Sequence, residues 1–390
     1  MITRSGRLLV DGRLRPGRVQ VEDGRIVRVE LDEAGAPGAV GAGGPIVAPG
    51  LIDLHVHGFG GHGPLDSLEG MARELARQGT TAFQPTLFPA APERLGEVAR
   101  GVWASAASLG AGAARVLGLH LEGPFVNPRS AGALPVEDLA EPSVAGLRAI
   151  LGPATGDRRG IRTITLAPEL PGALELVEEL HRSGVRASLG HSLATAEEAR
   201  RAARGESCGA THLFNAMGPW HHRRAGLSAF ALTDDAVYAE LIGDLCHVGP
   251  EAVTLAVRAR GPRGTCLVSD ALRGAGTGCD RFHWHGREHV IRDGAAWYPA
   301  EDPESDDPAR SAPRLAGSAT GQLEAVRRLV SRGVLSVEEA LTMGGEAPAR
   351  ALGLEAELGR LVVGARADLL VLEGPGLELR EVLLGGDPAA

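Results

Sequence analysis

The chain contains no lysine: all 40 of its basic residues are arginine. That absence excludes a Schiff-base mechanism and a covalently bound pyridoxal cofactor. It also excludes a carboxylated lysine as a bridge between two metal ions. Aromatic residues are scarce, at 3%. Cysteine is scarce too: Cys208, Cys246, Cys266 and Cys279 form no CxxC pair and no framework of close spacings. A reducing compartment fits this usage, and a cytoplasmic location is expected. No apolar run approaches the roughly 18 residues of a membrane span. Met1 to Val10 carries Arg4 and Arg7 with no apolar stretch after them, so it does not read as a signal peptide. Net charge is −9 and no basic stripe is present. Neither nucleic acid nor a membrane is therefore an expected partner. A single phosphate stays within reach, because a few local Arg and His residues suffice for one.

What is present is a 390-residue chain, 44% hydrophobic, long enough to bury a large core. Its ends read as short strands. Arg7–Val10, Arg18–Val21 and Gly24–Val29 are separated by the turn signals Asp11-Gly12 and Asp23-Gly24. Gly359–Val363, Asp368–Leu372 and Leu379–Leu384 look similar. Neither end could stand alone, so residues 1–50 and 352–390 are expected to combine into one small β-sandwich. Between them run Leu51–His57, Thr80–Thr86, Arg115–Leu121, Thr163–Ala167, Arg186–Leu189, Gly209–Leu213, Tyr238–Ile242 and Thr265–Val268, eight strand-like segments. Most are separated by helical patterns: Leu68–Gln78, Ala91–Ser108, Ala173–Arg182, Thr195–Arg204 and Pro250–Ala259. This alternation predicts an α/β fold, a (β/α)₈ TIM-type barrel over residues 51–351. Strand counting leaves a doubly wound open sheet as the alternative. Tyr298 to Arg314, rich in Pro, Asp and Ser, reads as an exposed loop.

Polar residues mark the C-terminal ends of these strands, where barrel enzymes carry their chemistry. Strand one ends in His55-Val56-His57, and residues i and i+2 of a strand share a side. Strand three ends in His120-Leu121-Glu122, strand five in Gly190-His191, strand six in Thr211-His212, and strand eight in Ser269-Asp270. A lone His is more often a satisfied structural residue than a ligand, and a lone Asp after a strand is usually a helix cap. The coincidence carries the reading. His55, His57, Glu122, His191, His212 and Asp270 can all meet at one barrel mouth. Nitrogen and oxygen donors of this kind suit a divalent cation, Zn²⁺ first, with Fe²⁺, Mn²⁺ or Co²⁺ as alternatives. A bound cation acidifies water. Asp270, a carboxylate on the last strand, is the best acceptor for its proton. Amide hydrolysis is the expected reaction.

The run Pro49-Gly50-Leu51-Ile52-Asp53-Leu54-His55-Val56-His57-Gly58 resembles the first-strand signature of the amidohydrolase superfamily. His120-Leu121-Glu122-Gly123-Pro124-Phe125-Val126-Asn127-Pro128 and Thr211-His212-Leu213-Phe214-Asn215-Ala216-Met217 resemble the N-acetylglucosamine-6-phosphate deacetylase family in particular. So do Leu166-Ala167-Pro168-Glu169, Gly190-His191-Ser192, His221-His222-Arg223, Leu267-Val268-Ser269-Asp270-Ala271 and Leu315-Ala316-Gly317-Ser318. The resemblance covers roughly residues 45 to 370. It implies a principal metal site at Glu122, His191 and His212, with Asp270 as general base and acid. Because His55 and His57 are both retained, it allows a second metal bridged by Glu122, hence one or two ions per subunit. It implies substrate contacts from Ala133, Leu134, Asn215, Ala216, His247, Leu315, Ala316 and Gly317. It further implies a homodimer in which Arg223 reaches the phosphate in the neighbouring active site.

This chain departs from the family at Leu134, where many members carry His or Gln; leucine can neither donate nor accept a hydrogen bond. Glu346-Ala347-Pro348 replaces the usual Asn-Pro-Ala. His62, His181, His283, His285 and His289 match no family ligand, and surface positions are expected for the pair His283 and His285. The leading expectation is deacetylation of N-acetylglucosamine 6-phosphate. The alternatives are deacetylation of another N-acetyl amino sugar (the galactosamine epimer, or an unphosphorylated or nucleotide-linked sugar) and a non-catalytic sugar-phosphate binder. A cyclic amidohydrolase relying on carboxylated lysine is excluded by the composition.

Overall fold

The structure, a computed structural model, describes residues 1–32, 43–153, 158–301, 305 and 311–389. Along the chain, β1 (Ile2–Val10), β2 (Arg13–Glu22), β3 (Arg25–Leu31) and β4 (Ile46–Pro49) come first. Then follow β5 (Leu51–Val56), β6 (Thr80–Leu87), β7 (Arg115–Val116), β8 (Leu119–Glu122), β9 (Ile161–Leu166), β10 (Arg186–Leu189), β11 (Cys208–Ala210), β12 (Val237–Ile242) and β13 (Thr265–Val268). These nine form one sheet in the order β13-β12-β11-β10-β9-β8-β6-β5, with β7 paired to β6. Every ladder among them is parallel.

The barrel closes between β13 and β5 through side chains as much as backbone. A parallel bridge joins Val56 to Ala271. Asp53 Oδ1 accepts from the His55 and Ser269 amides at 3.2 and 3.1 Å. Gln322 Nε2 donates to the Ile52 and Leu267 carbonyls at 2.8 and 2.7 Å, spanning both strands. A polar amide satisfied on both strands is the usual condition for burying one.

The intervening helices follow ordinary start signals. Ser67 caps Leu68–Arg77, Thr195 and Glu198 form a capping box on Ala196–Ala203, and prolines open Pro92–Ala106 and Pro250–Arg260. Leu68, Met71, Ala72, Leu75 and Ala76 turn one apolar stripe inward. No helix among the described residues is long and apolar enough to cross a membrane.

Beyond β13 lies an antiparallel meander of β14 (Arg281–Trp284), β15 (Arg287–Arg292), β16 (Ala295–Tyr298) and β17 (Arg314–Ser318). This meander is not among the strands expected above. Two-residue turns join its first three strands, His285-Gly286 (φ 48° and 73°) and Asp293-Gly294 (φ 55° and 86°). Positive φ at both positions is the hairpin type matched to strand twist. Of the stretch 298–314 read above as a loop, residues 302–304 and 306–310 lie outside the described residues.

Both ends of the chain share a seven-stranded sheet, β20-β19-β18-β4-β1-β2-β3, completed by β18 (Leu369–Glu373), β19 (Glu378–Leu384) and β20 (Asp387–Pro388). Its faces alternate residue by residue. Leu8, Val47, Leu369 and Leu383 enter a small separate core, whereas Leu9, Ile46, Ala48, Leu370 and Leu384 join the large barrel core. Gly359–Val363, expected as a strand, is not one: Leu361 instead plugs the small core from a loop.

Candidate active site

The strand ends bring His55, His57, Glu122, His191, His212 and Asp270 together. Glu122 lies at the centre. Its Oε1 is 3.0 Å from His191 Nε2 and 3.1 Å from His212 Nε2, and those two nitrogens are 3.0 Å apart. Its Oε2 is 3.2 Å from His57 Nε2, and its Oε1 is 3.5 Å from His55 Nε2. The Nε2 atoms of His55 and His57 are 3.3 Å apart. Asp270 Oδ1 sits 3.5 and 3.6 Å from them.

Backbone strain aims several of these groups. His191, His212 and Asp270 have φ of 47°, 30° and 50°, the left-handed region that non-glycine residues rarely occupy. Each such conformation costs about 1–3 kcal/mol and persists where surrounding structure demands it, characteristically at functional sites. Here each falls just after a barrel strand and turns its side chain into the mouth.

The donor set fits a cation. Nitrogen and oxygen ligands about 2.0–2.1 Å from a tetrahedral ion lie about 3.3 Å from one another. The Glu122–His191–His212 triangle, at 3.0 to 3.1 Å, and the looser His55–His57–Glu122 triangle, at 3.2 to 3.5 Å, both approach that spacing. With Nδ1 of His191 facing the Ser130 carbonyl, a neutral ring presents the lone pair of Nε2 to Glu122 Oε1, an arrangement that a shared cation satisfies.

Outer partners hold the rings. His55 Nδ1 faces Glu240 Oε2 at 3.1 Å, and His191 Nδ1 faces the Ser130 carbonyl at 3.0 Å. Such contacts fix tautomer and ring direction. His120, the remaining histidine of the barrel floor, is spent on the Leu54 carbonyl and Thr165 Oγ1 at 3.0 and 2.8 Å. Burial drives its pKa down to about 4.

The electrostatics are uneven. Burial opposes a charge on Glu122, yet His55, His191 and His212 hold its carboxyl well below the usual range. Burial, reinforced by the Glu122 charge, pushes the Asp270 carboxyl up to about 8. Burial lowers His55 well below the ordinary histidine value. The site thus holds one ionised carboxylate, and beside it one carboxyl that keeps its proton near neutral pH.

A cavity of about 530 Å³ reaches this cluster at His57; Ala133, Ala316, Phe88, Trp284 and His285 are among its walls. Gly132 faces Ala216 and the His191 ring, so the loop carrying Ala133 abuts the site. Leu134 does not line the cavity: it is buried with Val126 and Ala131 against Phe88. Asn215 bonds to the His212 and Leu213 carbonyls through Nδ2, at 3.3 and 3.4 Å. The Ala216 carbonyl accepts from Ser130 Oγ at 2.7 Å. His247 pairs with Asp244 at 2.7 Å; burial opposes its charge, but the Asp244 partner raises its pKa. Leu315, Ala316 and Gly317 lie on β17, beside Asp270, whose carbonyl accepts from the Ser318 amide at 2.8 Å. Arg223 is exposed and bonds to His222 at 3.0 Å; among the described residues no hydrogen bond or ion pair ties it to the cluster.

Sequence reasoning gave Glu240 and Phe88 no part in the site and read Glu169 only within Leu166-Ala167-Pro168-Glu169, a run that resembles the family. Glu240 is the one charged residue within the apolar strand β12, which is its signal. Glu169 accepts from Asn127 Nδ2, the Leu193 amide and Ser192 Oγ at 2.8, 2.6 and 2.7 Å, tying together the loops after β8, β9 and β10. Phe88 carried no signal. His283 and His285 are exposed as expected, although His285 also packs on Phe88, and His289 is buried and stacked on Phe282.

Comparison with known proteins follows the same line. The amidohydrolase family profile matches residues 46–386. The N-acetylgalactosamine-6-phosphate deacetylase of Escherichia coli O157:H7 is 31% identical, across 100% of this chain and 99% of that protein. The N-acetylglucosamine-6-phosphate deacetylase of Mus musculus is 34% identical, across 95% of this chain and 86% of its own. A mutant N-acetyl-D-glucosamine-6-phosphate deacetylase from Mycobacterium smegmatis, solved in complex with N-acetyl-D-glucosamine-6-phosphate, superposes with a TM-score of 0.84. It is 29% identical, over 99% of this chain and 98% of that one.

Proposed function

The chain belongs to the N-acetylglucosamine-6-phosphate deacetylase family of the amidohydrolases, and on that premise we propose that it hydrolyses N-acetylglucosamine 6-phosphate to glucosamine 6-phosphate and acetate. The observation that carries this reading is Glu122: one ionised carboxylate facing four imidazoles, with the protonatable Asp270 alongside.

Glu122, His191 and His212 would hold the principal divalent cation, Zn²⁺ by donor type; His55 and His57, with Glu122, would hold a second. A cation bound there supplies Lewis acidity toward the amide carbonyl and lowers the pKa of water. Asp270 then acts through Oδ1. It takes the proton of the attacking water and returns it to the sugar nitrogen as the C–N bond breaks. His247 and the Asn215–Ala216 loop orient the sugar. Arg223, on its exposed loop, serves the phosphate of a neighbouring subunit's substrate in a homodimer, where a guanidinium suits a phosphate's geometry. Four free cysteines support a reducing, cytoplasmic setting.

A second reading concerns the epimer. The Escherichia coli relative is named for the galactosamine sugar, and Leu134 supplies no polar group to the pocket. One assay separates the readings: acetate release by the metal-loaded chain on both 6-phosphates. The first requires turnover of the gluco substrate with the higher kcat/KM; preference for the galacto substrate supports the second, and no turnover of either refutes both.

A further inference from the structure

His57 is held differently from the other rings around Glu122. The Nδ1 atoms of His55 and His191 each face an oxygen, at 3.1 and 3.0 Å. His57 Nδ1 is buried and has no hydrogen-bond partner among the described residues. His212 Nδ1 shares that lack, but its ring lies edge-on to His191, with centroids 4.7 Å apart. His57 lies edge-on to His55, with centroids 5.2 Å apart, and in addition lies flat on Phe88, the residue that follows β6: these ring centroids are 4.0 Å apart and the planes 10° from parallel.

Phe88 is itself held. Trp284 and His285 meet its ring in T-shaped contacts, with centroids 5.4 and 5.2 Å away. Trp284 ends β14 and His285 opens the turn to β15, and they pack on each other at 4.7 Å. A continuous stack therefore runs from the meander through Phe88 to His57, whose Nε2 is 3.2 Å from Glu122 Oε2. All four aromatic side chains line the 530 Å³ cavity.

A metal-binding imidazole left free to turn about its Cβ–Cγ bond loses affinity, because its lone pair must be aimed anew at each binding event. Flat contact with a fixed ring removes that freedom without a hydrogen bond. A cation on Nε2 also makes the imidazole electron-poor, and the electron-rich Phe88 face then attracts it more strongly. We propose that Phe88, clamped by Trp284 and His285, is the positioning residue that fixes His57 as ligand to a second cation, doing by stacking what Glu240 does for His55 by hydrogen bonding. The proposal rests on the reading above that His55, His57 and Glu122 hold a cation.

The test is titration of the metal-free chain with Co²⁺, followed by calorimetry and by visible absorption, which reports the geometry around the ion. The wild-type chain takes up two equivalents. In Phe88→Ala the second equivalent binds at least about tenfold more weakly, while the first stays within about threefold. Phe88→Tyr keeps the ring and restores the second equivalent. Trp284→Ala, which leaves Phe88 in place but unclamped, weakens it by an intermediate factor; this variant also carries the test should Phe88→Ala fail to fold. Unaltered uptake of both equivalents by Phe88→Ala and Trp284→Ala overturns the proposal. So does a Phe88→Tyr chain as weak as Phe88→Ala. A wild-type chain that binds a single equivalent overturns it as well, yet deacetylation by that singly loaded chain leaves the functional reading intact.

Discussion

Cation uptake should expel a proton from Asp270. In the metal-free chain, burial and then the Glu122 charge push its carboxyl up to about 8. A group with that pKa is about 90% protonated at pH 7 and about 50% at pH 8. Its Oδ1 lies 3.5 and 3.6 Å from the Nε2 atoms of His55 and His57, so an ion in the cluster sits within a few ångströms of it. A nearby positive charge favours the ionised form. Binding therefore releases close to one proton from Asp270 at pH 7 and progressively less as pH rises through about 8. The Asp270 contribution makes apparent affinity climb about tenfold per pH unit well below pH 8 and level off above it. Calorimetric titration with Zn²⁺ in two buffers of different ionisation enthalpy counts the protons. The wild-type count minus that of Asp270→Asn isolates this group. A difference of zero at pH 7, or one that does not shrink toward pH 9, would refute the reasoning. The same shift has a stability consequence. Between about pH 4 and pH 8 the folded metal-free chain binds this proton and the unfolded chain does not, so the Asp270 contribution to stability is full at low pH and is lost as pH rises through about 8.

Three further outcomes are expected. Asp270→Asn, unable to accept a proton, should lose about 10²–10⁴ in kcat on N-acetylglucosamine 6-phosphate while still taking up a cation, as steady-state assay and metal analysis will show. Glu240→Met fills the same space but leaves His55 Nδ1 without its acceptor; ion uptake should weaken about 10–100-fold in chelator competition. Arg223→Ala should raise KM for the phosphorylated sugar about tenfold or more, the worth of a charge-assisted hydrogen bond, and leave an unphosphorylated N-acetyl sugar almost unchanged. Equal effects on both sugars would count against a phosphate contact.

The barrel was legible because its signals are local and repeated. Eight apolar strand segments alternating with amphipathic, capped helices leave few arrangements, and a parallel sheet needs long crossovers of this kind. The meander after β13 was equally legible in principle. Asp293-Gly294 is the same turn signal as Asp11-Gly12 and Asp23-Gly24, and it too adopts φ above zero at both residues. Its signal is weaker because the short strands around it, Arg287–Arg292 and Ala295–Tyr298, mix charged and apolar residues without clean alternation. Gly359–Val363 shows the opposite error. Its apolar residues mark burial, but Leu361 is buried from a loop, and burial alone does not make a strand.

The site divides along a different line. A side chain at the end of a strand is aimed by backbone direction: Glu122, His191 and His212 each stand at a strand end in the sequence, and it is their coincidence at one mouth, not any one of them, that marks the site. How each ring is held is set by contacts between segments far apart in the chain. Glu240 reaches His55 across 185 residues. Trp284 and His285 reach Phe88 across nearly two hundred, and Phe88 is an ordinary apolar residue wherever the sequence alone is concerned. A buried Glu in the apolar strand β12 is at least conspicuous, because an ionisable group leaves water only with a partner. A phenylalanine needs no such justification. The positioning of His55 was thus recoverable from composition within one strand, whereas that of His57, which depends on ring planes and not on charge, needed coordinates.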